Sequence, residues 1–163
     1  MYKKVLTSIA LISSIALTLS ADDSYKMDYD KETTCLVRNL KVHKDPRWVS
    51  KIELTNGKKI FFSSPKSMIE FYQIPGKWFD VGVKSEDDFK LMLVTDFDTL
   101  KPIDAKGAFY VYGANETSPA GDDLVPFATF EAAKSFASKH NGKRVLAFNQ
   151  VSNALIRLLN GKI

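Results

Sequence analysis

The chain has 163 residues, of which 45% are apolar and 26% charged, so a single globular domain with a hydrophobic core is expected. Its net charge of +4 comes without a cluster of basic residues interleaved with aromatic ones, which argues against a nucleic-acid partner. The single cysteine, Cys35, excludes an intrachain disulfide.

Residues 1–21 have the layout of a secretory signal peptide. Two lysines precede an apolar run from Val5 to Leu19, and small residues follow it. This run is shorter than the roughly 20 residues needed to span a bilayer, which favours a cleaved signal over the alternative of an uncleaved anchor. We predict cleavage after Ser20 or Ala21, a soluble periplasmic protein without a membrane span, and a mature net charge of +2, because the signal carries two lysines and no acid.

Two further segments make up the mature chain. Residues 22–34 are polar and acidic, with Met27 among their few bulky side chains, and predict an extended arm. Residues 35–163 contain the regular apolar patterns and predict the folded domain.

The first half of this domain predicts a β-β-α unit. Residues 47–55 alternate as a strand does, Asn56-Gly57 is a strong hairpin signal, and residues 58–62 form the return strand. Ser63 or Ser64 then caps a helix that has Pro65 at its first position. Residues 74–90 follow as a loop with room for one short turn.

The second half repeats this order. Its predicted strands are 91–97, 103–105, 108–114, 124–127 and 143–148, with a turn-rich loop over 115–123. Thr129 caps a helix that runs to His140, and residues 151–159 form a last helix. The sequence therefore predicts an α+β fold of two tandem β-β-α-type units in one domain, with a mixed or antiparallel sheet.

The sequence carries no familiar catalytic motif. It lacks a Gly-rich phosphate loop, a Cys-x-x-Cys pair and a Gly-x-Ser-x-Gly elbow, so we expect a protein that is not an enzyme. A nucleophile and base pair of Cys35 and His43 stays open, although packing or surface roles are the plainer interpretation. In an exported protein a lone thiol is buried, paired with another molecule, or a soft-metal ligand.

From Cys35 to Phe148 the order of signals resembles the NosL family, exported copper-binding accessory proteins for nitrous oxide reductase. The resemblance rests on weak motifs in a shared order: Thr-Cys-Leu-Val at 34–37, Trp48, Asn-Gly-Lys-Lys-Ile-Phe-Phe-Ser-Ser-Pro-Lys-Ser-Met at 56–68, Val-Thr-Asp-Phe at 94–97, Ile-Asp-Ala at 103–105, Ala-Phe-Tyr-Val at 108–111, Pro-x-Gly at 119–121, Val-Pro-Phe at 125–127 and Ala-x-x-Phe-Ala at 133–137. It implies a NosL-like domain and a role in copper handling or in maturing a periplasmic metalloenzyme of the nitrous oxide reductase type.

The resemblance also implies where a metal would bind. The family commonly begins with Cys-Pro-x-Cys-Gly-Met, and of these residues only Cys35 stands here, with Arg38 and Leu40 in place of the second Cys and the Met. Ala120 replaces a further Met between Pro119 and Gly121. Since Cu(I) prefers sulfur donors, the expected ligands are Cys35, assisted by His43 and Met27, and the expected partner is a periplasmic metalloenzyme or copper-handling protein.

Two other hypotheses stay open beside the copper role. The changes at Arg38, Leu40 and Ala120 favour a metal-independent protein-interaction module in the periplasm. A thiol-based redox or hydrolytic enzyme requires Cys35 to be an exposed thiolate of low pKa.

Overall fold

The computed structural model describes residues 25–162. The predicted signal peptide, and the first three residues of the predicted arm, therefore lie outside the described residues. Within the described range, no helix is both long enough and apolar enough to cross a membrane.

The first unit is an antiparallel sheet with one helix packed on it. The sheet has the order β2-β1-β3-β4, and its hairpin turns at Gly57, whose φ of +83° suits glycine. The helix α1 begins where its cap predicts, because the Ser64 hydroxyl accepts a hydrogen bond from the Ser67 N–H. The elements are β1 (Ser50–Leu54), β2 (Lys59–Phe62), α1 (Pro65–Gln73), β3 (Phe89–Thr95) and β4 (Pro102–Asp104).

The predicted loop over 74–90 contains more structure than a single turn. Short 3-10 helices occupy Pro75–Val81 and Glu86–Asp88, and β3 already begins at Phe89. Trp78 turns inward from this segment and packs its ring edge-on against Phe71 of α1. This contact fixes the segment against the helix.

The second unit is a three-stranded antiparallel sheet of order β6-β5-β7 with α2 against it. Its hairpin corrects the prediction of a loop over 115–123: β5 runs to Ser118, and β6 begins at Gly121. The pairing of β5 with β6 is interrupted by an irregularity between Tyr112 and Thr117, which shifts the register. Pairing then resumes, so β5 continues into the segment that was predicted to be a loop. The elements are β5 (Phe109–Ser118), β6 (Gly121–Phe127), α2 (Phe130–Lys139), β7 (Arg144–Ala147) and α3 (Asn153–Leu159).

The two units share one topology. Each runs strand, strand, helix, strand, and each places its first strand in the middle, as β2-β1-β3 and as β6-β5-β7. Both sheets are antiparallel throughout, so of the two sheet types left open, the antiparallel one is found. The predicted α+β fold of two tandem units is confirmed.

Two buried carboxylates connect the units, because each accepts a hydrogen bond from a backbone N–H at the N-terminus of the other unit's helix. Asp123 of β6 accepts a hydrogen bond from the Lys66 N–H in the first turn of α1, at 2.8 Å. Asp96, just after β3, accepts from the Ala128 N–H before α2, at 2.7 Å. Each unit thus satisfies a backbone donor near the other unit's helix, where negative charge is favourable.

The contact between α2 and β5 depends on a glycine. A Cβ at Gly142 would lie 2.6 Å from the Val111 Cγ1 and 2.8 Å from the Ala137 Cα, and backbone atoms do not move aside easily. We expect Gly142→Ala to lower the free energy of unfolding by about 2 kcal/mol, as overpacking does. Urea denaturation measures this, with Gly76→Ala as the matched control, because no atom lies within 4 Å of a Cβ built there. Equal stabilities of the two variants would contradict the close packing.

Candidate metal centre around Cys35

Cys35 lies in a tight loop that closes on itself. An isolated bridge between Thr34 and Lys41 brings the ends of the loop together, and the Cys35 N–H donates to the Leu40 carbonyl at 2.8 Å. Asn39 adopts a left-handed φ of 55°, which Asn tolerates better than most residues. Residues 35–40 are hereafter called the Cys35 loop.

The sulfur of Cys35 is buried and accepts a backbone hydrogen bond. The residue is 2% exposed, and the Arg38 N–H donates to its Sγ at 3.3 Å. The sulfur therefore has a backbone donor within its own loop and almost no access to solvent. The burial removes the condition on which the thiol-enzyme hypothesis depended, since that hypothesis needed an exposed thiolate.

The side chain of Arg38 is held firmly beside this loop. Its guanidinium donates to the Glu70 carboxylate at 2.9 Å, to the Asn160 amide oxygen at 2.5 Å and to the Ser67 hydroxyl at 3.3 Å. The helix α1 and the end of α3 therefore meet at one residue of the Cys35 loop. The Cys35 loop therefore carries a guanidinium that is held by an ion pair with Glu70.

Glu70 is the acid at the centre of this network. Its side chain is 6% exposed, and it also accepts from the Asn160 amide at 2.9 Å. Lys77 and Lys162 each lie 3.6 Å from its second oxygen. We call Arg38, Ser67, Glu70, Asn160 and these two lysines the Glu70 network.

A buried lysine lies under the 119–121 turn. The Lys66 ammonium donates to the carbonyls of Asp122 and Leu159, at 2.6 and 2.9 Å, and a Cβ on Gly121 would lie 3.9 Å from it. Burial lowers the pKa of Lys66, although the nearby Asp123 carboxylate opposes this effect. Burial likewise raises the pKa of Asp123. The turn that carries Ala120 is thus supported by a lysine.

His43 and Met27 lie in different environments. His43 belongs to the short 3-10 helix Val42–Lys44, and its buried Nδ1 has no hydrogen-bond partner among the described residues. Met27 is half-buried in the arm and packs against the hydrophobic cluster that contains Cys35. Across residues 25–162, no group of three or more His, Cys, Asp or Glu side chains is arranged to hold a metal ion. The set of Cys35, His43 and Met27 therefore stays a proposal.

Sequence reasoning missed Glu70, Asn160 and Lys66. The signal for Glu70 was its position between the apolar Ile69 and Phe71, since a charged residue on a buried helix face needs a partner. Asn160 carried no such signal, because its contact with Arg38 spans 122 residues. The methionines Met68 and Met92 are core residues.

The arm is fixed to the first sheet by an ion pair. The Asp28 carboxylate accepts from the Lys51 ammonium at 2.6 Å and also from Lys59. Partial burial acts to raise the pKa of Asp28, but the hydrogen bonds from these lysines lower it to about 2. Asp28 is therefore ionised throughout the physiological pH range.

The model of the NosL family matches residues 26–156. The crystal structure of the copper chaperone NosL from Shewanella denitrificans is similar over 77% of this chain and 93% of that one, with a TM-score of 0.64 at 20% identity. The solution structure of apo-NosL from Achromobacter cycloclastes covers 66% of this chain and 87% of its own, with a TM-score of 0.44 at 22% identity. No curated protein matches the sequence.

Proposed function

This chain belongs to the NosL family, and from that membership we propose that it is an exported accessory protein for copper handling. In this proposal it assists the maturation of a periplasmic metalloenzyme of the nitrous oxide reductase type, and copper is its cargo. Support comes from the family match over most of the chain and from the signal-like residues 1–21. The Shewanella protein of the same fold is a copper chaperone.

The observation that carries the proposal is the environment of the Cys35 sulfur. The Cys35 Sγ is buried and held in a closed loop by a backbone N–H, and Cu(I) prefers thiolate and thioether ligands. Met27 packs on the same hydrophobic cluster and offers a thioether. The buried Nδ1 of His43, which lacks a partner within the described chain, offers an imidazole donor eight residues from Cys35.

A second candidate function follows from Arg38. Its guanidinium is fixed by the Glu70 network, so a positive charge stands permanently on the Cys35 loop. This charge opposes cation binding and favours the metal-independent protein-interaction module. In that case the fold presents a docking surface to an exported partner, and copper plays no part.

An anaerobic Cu(I) titration against a chromogenic chelator tests the two candidates. We expect the mature protein to compete for one Cu(I), and Cys35→Ser to lose at least about tenfold in affinity, because the thiolate is the strongest soft donor present. Met27→Leu and His43→Gln are expected to cause smaller losses. Met92→Leu is the matched control for Met27→Leu, since Met92 is a core residue.

The outcomes separate the two functions. Competition that disappears in Cys35→Ser supports copper handling with Cys35 as a ligand. Identical behaviour of wild type and Cys35→Ser excludes this copper site, and the interaction module then becomes the better account of the chain.

A further inference from the structure

The arm lies across the face of the first sheet that is turned away from α1. Lys51 of β1 donates to the Lys26 carbonyl at 2.7 Å and to Asp28 at 2.6 Å, and Lys59 of β2 also binds Asp28. Tyr29 meets Phe61 edge-on, with ring centroids 6.1 Å apart. Because side chains alternate along a strand, these residues share the face opposite the one whose Phe62 packs on α1.

Lys51 is a buried cation whose charge is neutralised by the arm. Its side chain is 2% exposed, and among residues 25–162 Asp28 is its only salt-bridge partner. A buried ammonium needs acceptors around it, and for Lys51 the arm supplies both a carbonyl and a carboxylate. The sheet thus provides a carboxylate-binding position, which Asp28 fills from a separate segment 23 residues earlier in the chain.

The surroundings of this position contain more amines than carboxylates. A cavity of about 300 Å³ lies at the same place. Its charged lining consists of Lys26, Asp28, Lys51, Glu53, Lys59 and Lys90. Glu53 is engaged by Lys90 at 2.7 Å, so removal of Asp28 leaves Lys51 and Lys59 without a salt-bridge partner within the described residues. An incoming carboxylate would find charge complementarity there.

The arm is continuous with the Cys35 loop. The Val42 N–H donates to the Thr33 carbonyl, and the bridge between Thr34 and Lys41 closes the loop. On the other side, the Leu36 N–H donates to the carbonyl of Phe61, the residue on which Tyr29 packs. Detachment of the arm therefore removes backbone support from the closed loop that holds Cys35.

We propose that Lys51 and Lys59 form a carboxylate-binding site that Asp28 occupies in cis, and that an acidic segment of a partner protein displaces the arm from it and uncovers Cys35. The exchange replaces one carboxylate with another on the same lysines and requires no covalent step. Met27, the candidate thioether ligand, moves with the arm. The inference rests on the proposed function in one respect, which is that the uncovered Cys35 thiol would bind copper.

Alkylation of Cys35 by iodoacetamide, a neutral reagent, tests the proposal in the mature protein. The protein has one cysteine, so mass spectrometry reports a single site. A thiol that is 2% exposed reacts only after local opening, and we expect Asp28→Asn to react about tenfold faster than wild type. Glu53→Gln is the matched control, because this acid lines the same cavity but pairs with Lys90, and it should react within about twofold of wild type.

Poly-L-glutamate serves as the probe for an acidic partner segment. We expect it to accelerate alkylation of the wild type, to do so less at high salt, and to have no effect on a variant that combines Lys51→Met with Lys59→Met. Equal acceleration of the wild type and this double variant, or none in the wild type, would overturn the carboxylate site. Poly-L-lysine controls for effects of added polymer.

Hydrogen exchange separates arm release from general unfolding. In Asp28→Asn the loss of protection should be confined to residues 25–42, whereas loss across both sheets, or a wild-type alkylation rate, would overturn the proposal. None of these measurements involves copper. A failure here leaves the Cu(I) titration unaffected, and a failure of that titration leaves the carboxylate site standing.

Discussion

Glu70→Ala is expected to lower the free energy of unfolding by about 3 kcal/mol, the low end of the range for removing one partner of a buried ion pair. Glu70 is buried, whereas Arg38 is 25% exposed and keeps some access to water, so the larger losses in that range are not expected. The substitution leaves Arg38, Lys77 and Lys162 gathered around an apolar side chain with no carboxylate. Urea denaturation measures the loss.

Two further variants test whether the loss of stability in Glu70→Ala comes from cations left without a carboxylate. Combining Glu70→Ala with Arg38→Met removes both partners, and we expect the double variant to be more stable than Glu70→Ala alone. Glu131→Ala removes an exposed acid from the first turn of α2 and should cost at most about 1 kcal/mol. If Glu70→Ala behaved like Glu131→Ala, the Glu70 network would be a set of weak surface contacts.

The parts of the fold that follow from the sequence are those set by neighbouring residues. The turn at Gly57 needs a positive φ, which the Asn-Gly pair supplies within two residues. The starts of α1 and α2 depend on Ser64 and Thr129, each of which accepts a hydrogen bond from a residue three positions later. Such signals are complete within one turn, so they can be recognised without knowledge of the rest of the fold.

The parts that the sequence does not disclose depend on distant residues. The polar residues at 115–123 indicated a loop. In the structure β5 extends into this segment, because its pairing with β6 resumes after a register shift. Asp28 and Lys51 looked like ordinary charges, and only the fold places one on the other. Pairing and burial of this kind depend on tertiary contacts, which local propensity does not contain.

The same division applies to the candidate site. Cys35 could be selected from chemistry alone, since it is the single thiol of a chain whose sequence predicts export. Its burial, and the position of Arg38 between Glu70 and Asn160, could not, because these contacts join segments 32 and 122 residues apart. The sequence therefore indicated that Arg38, Leu40 and Ala120 stand where the resemblance implies sulfur donors. The structure adds that Arg38, in the same loop as Cys35, is engaged by Glu70 and Asn160.

The variant that combines Arg38→Cys with Leu40→Met is expected to bind Cu(I) on the order of a hundredfold more tightly than the wild type. It removes the fixed positive charge from the Cys35 loop and adds a thiolate and a thioether to a loop that already presents Cys35. The fold should tolerate the change, because Glu70 keeps Lys77, Lys162 and Asn160 as partners. The affinity is measured anaerobically, with reductant present to prevent a disulfide between the two thiols.

Arg38→Ser is the control that distinguishes the effect of removing the positive charge from the effect of adding sulfur ligands. This variant removes the guanidinium without adding a soft ligand, so it should gain less than about tenfold in affinity from relief of repulsion. A hundredfold gain in the Cys and Met variant, with little in Arg38→Ser, means that the loop geometry is still that of a copper site and that its donors were lost. No gain in either variant means that the donors do not converge on one ion, and the chain then acts through its surface rather than through a metal.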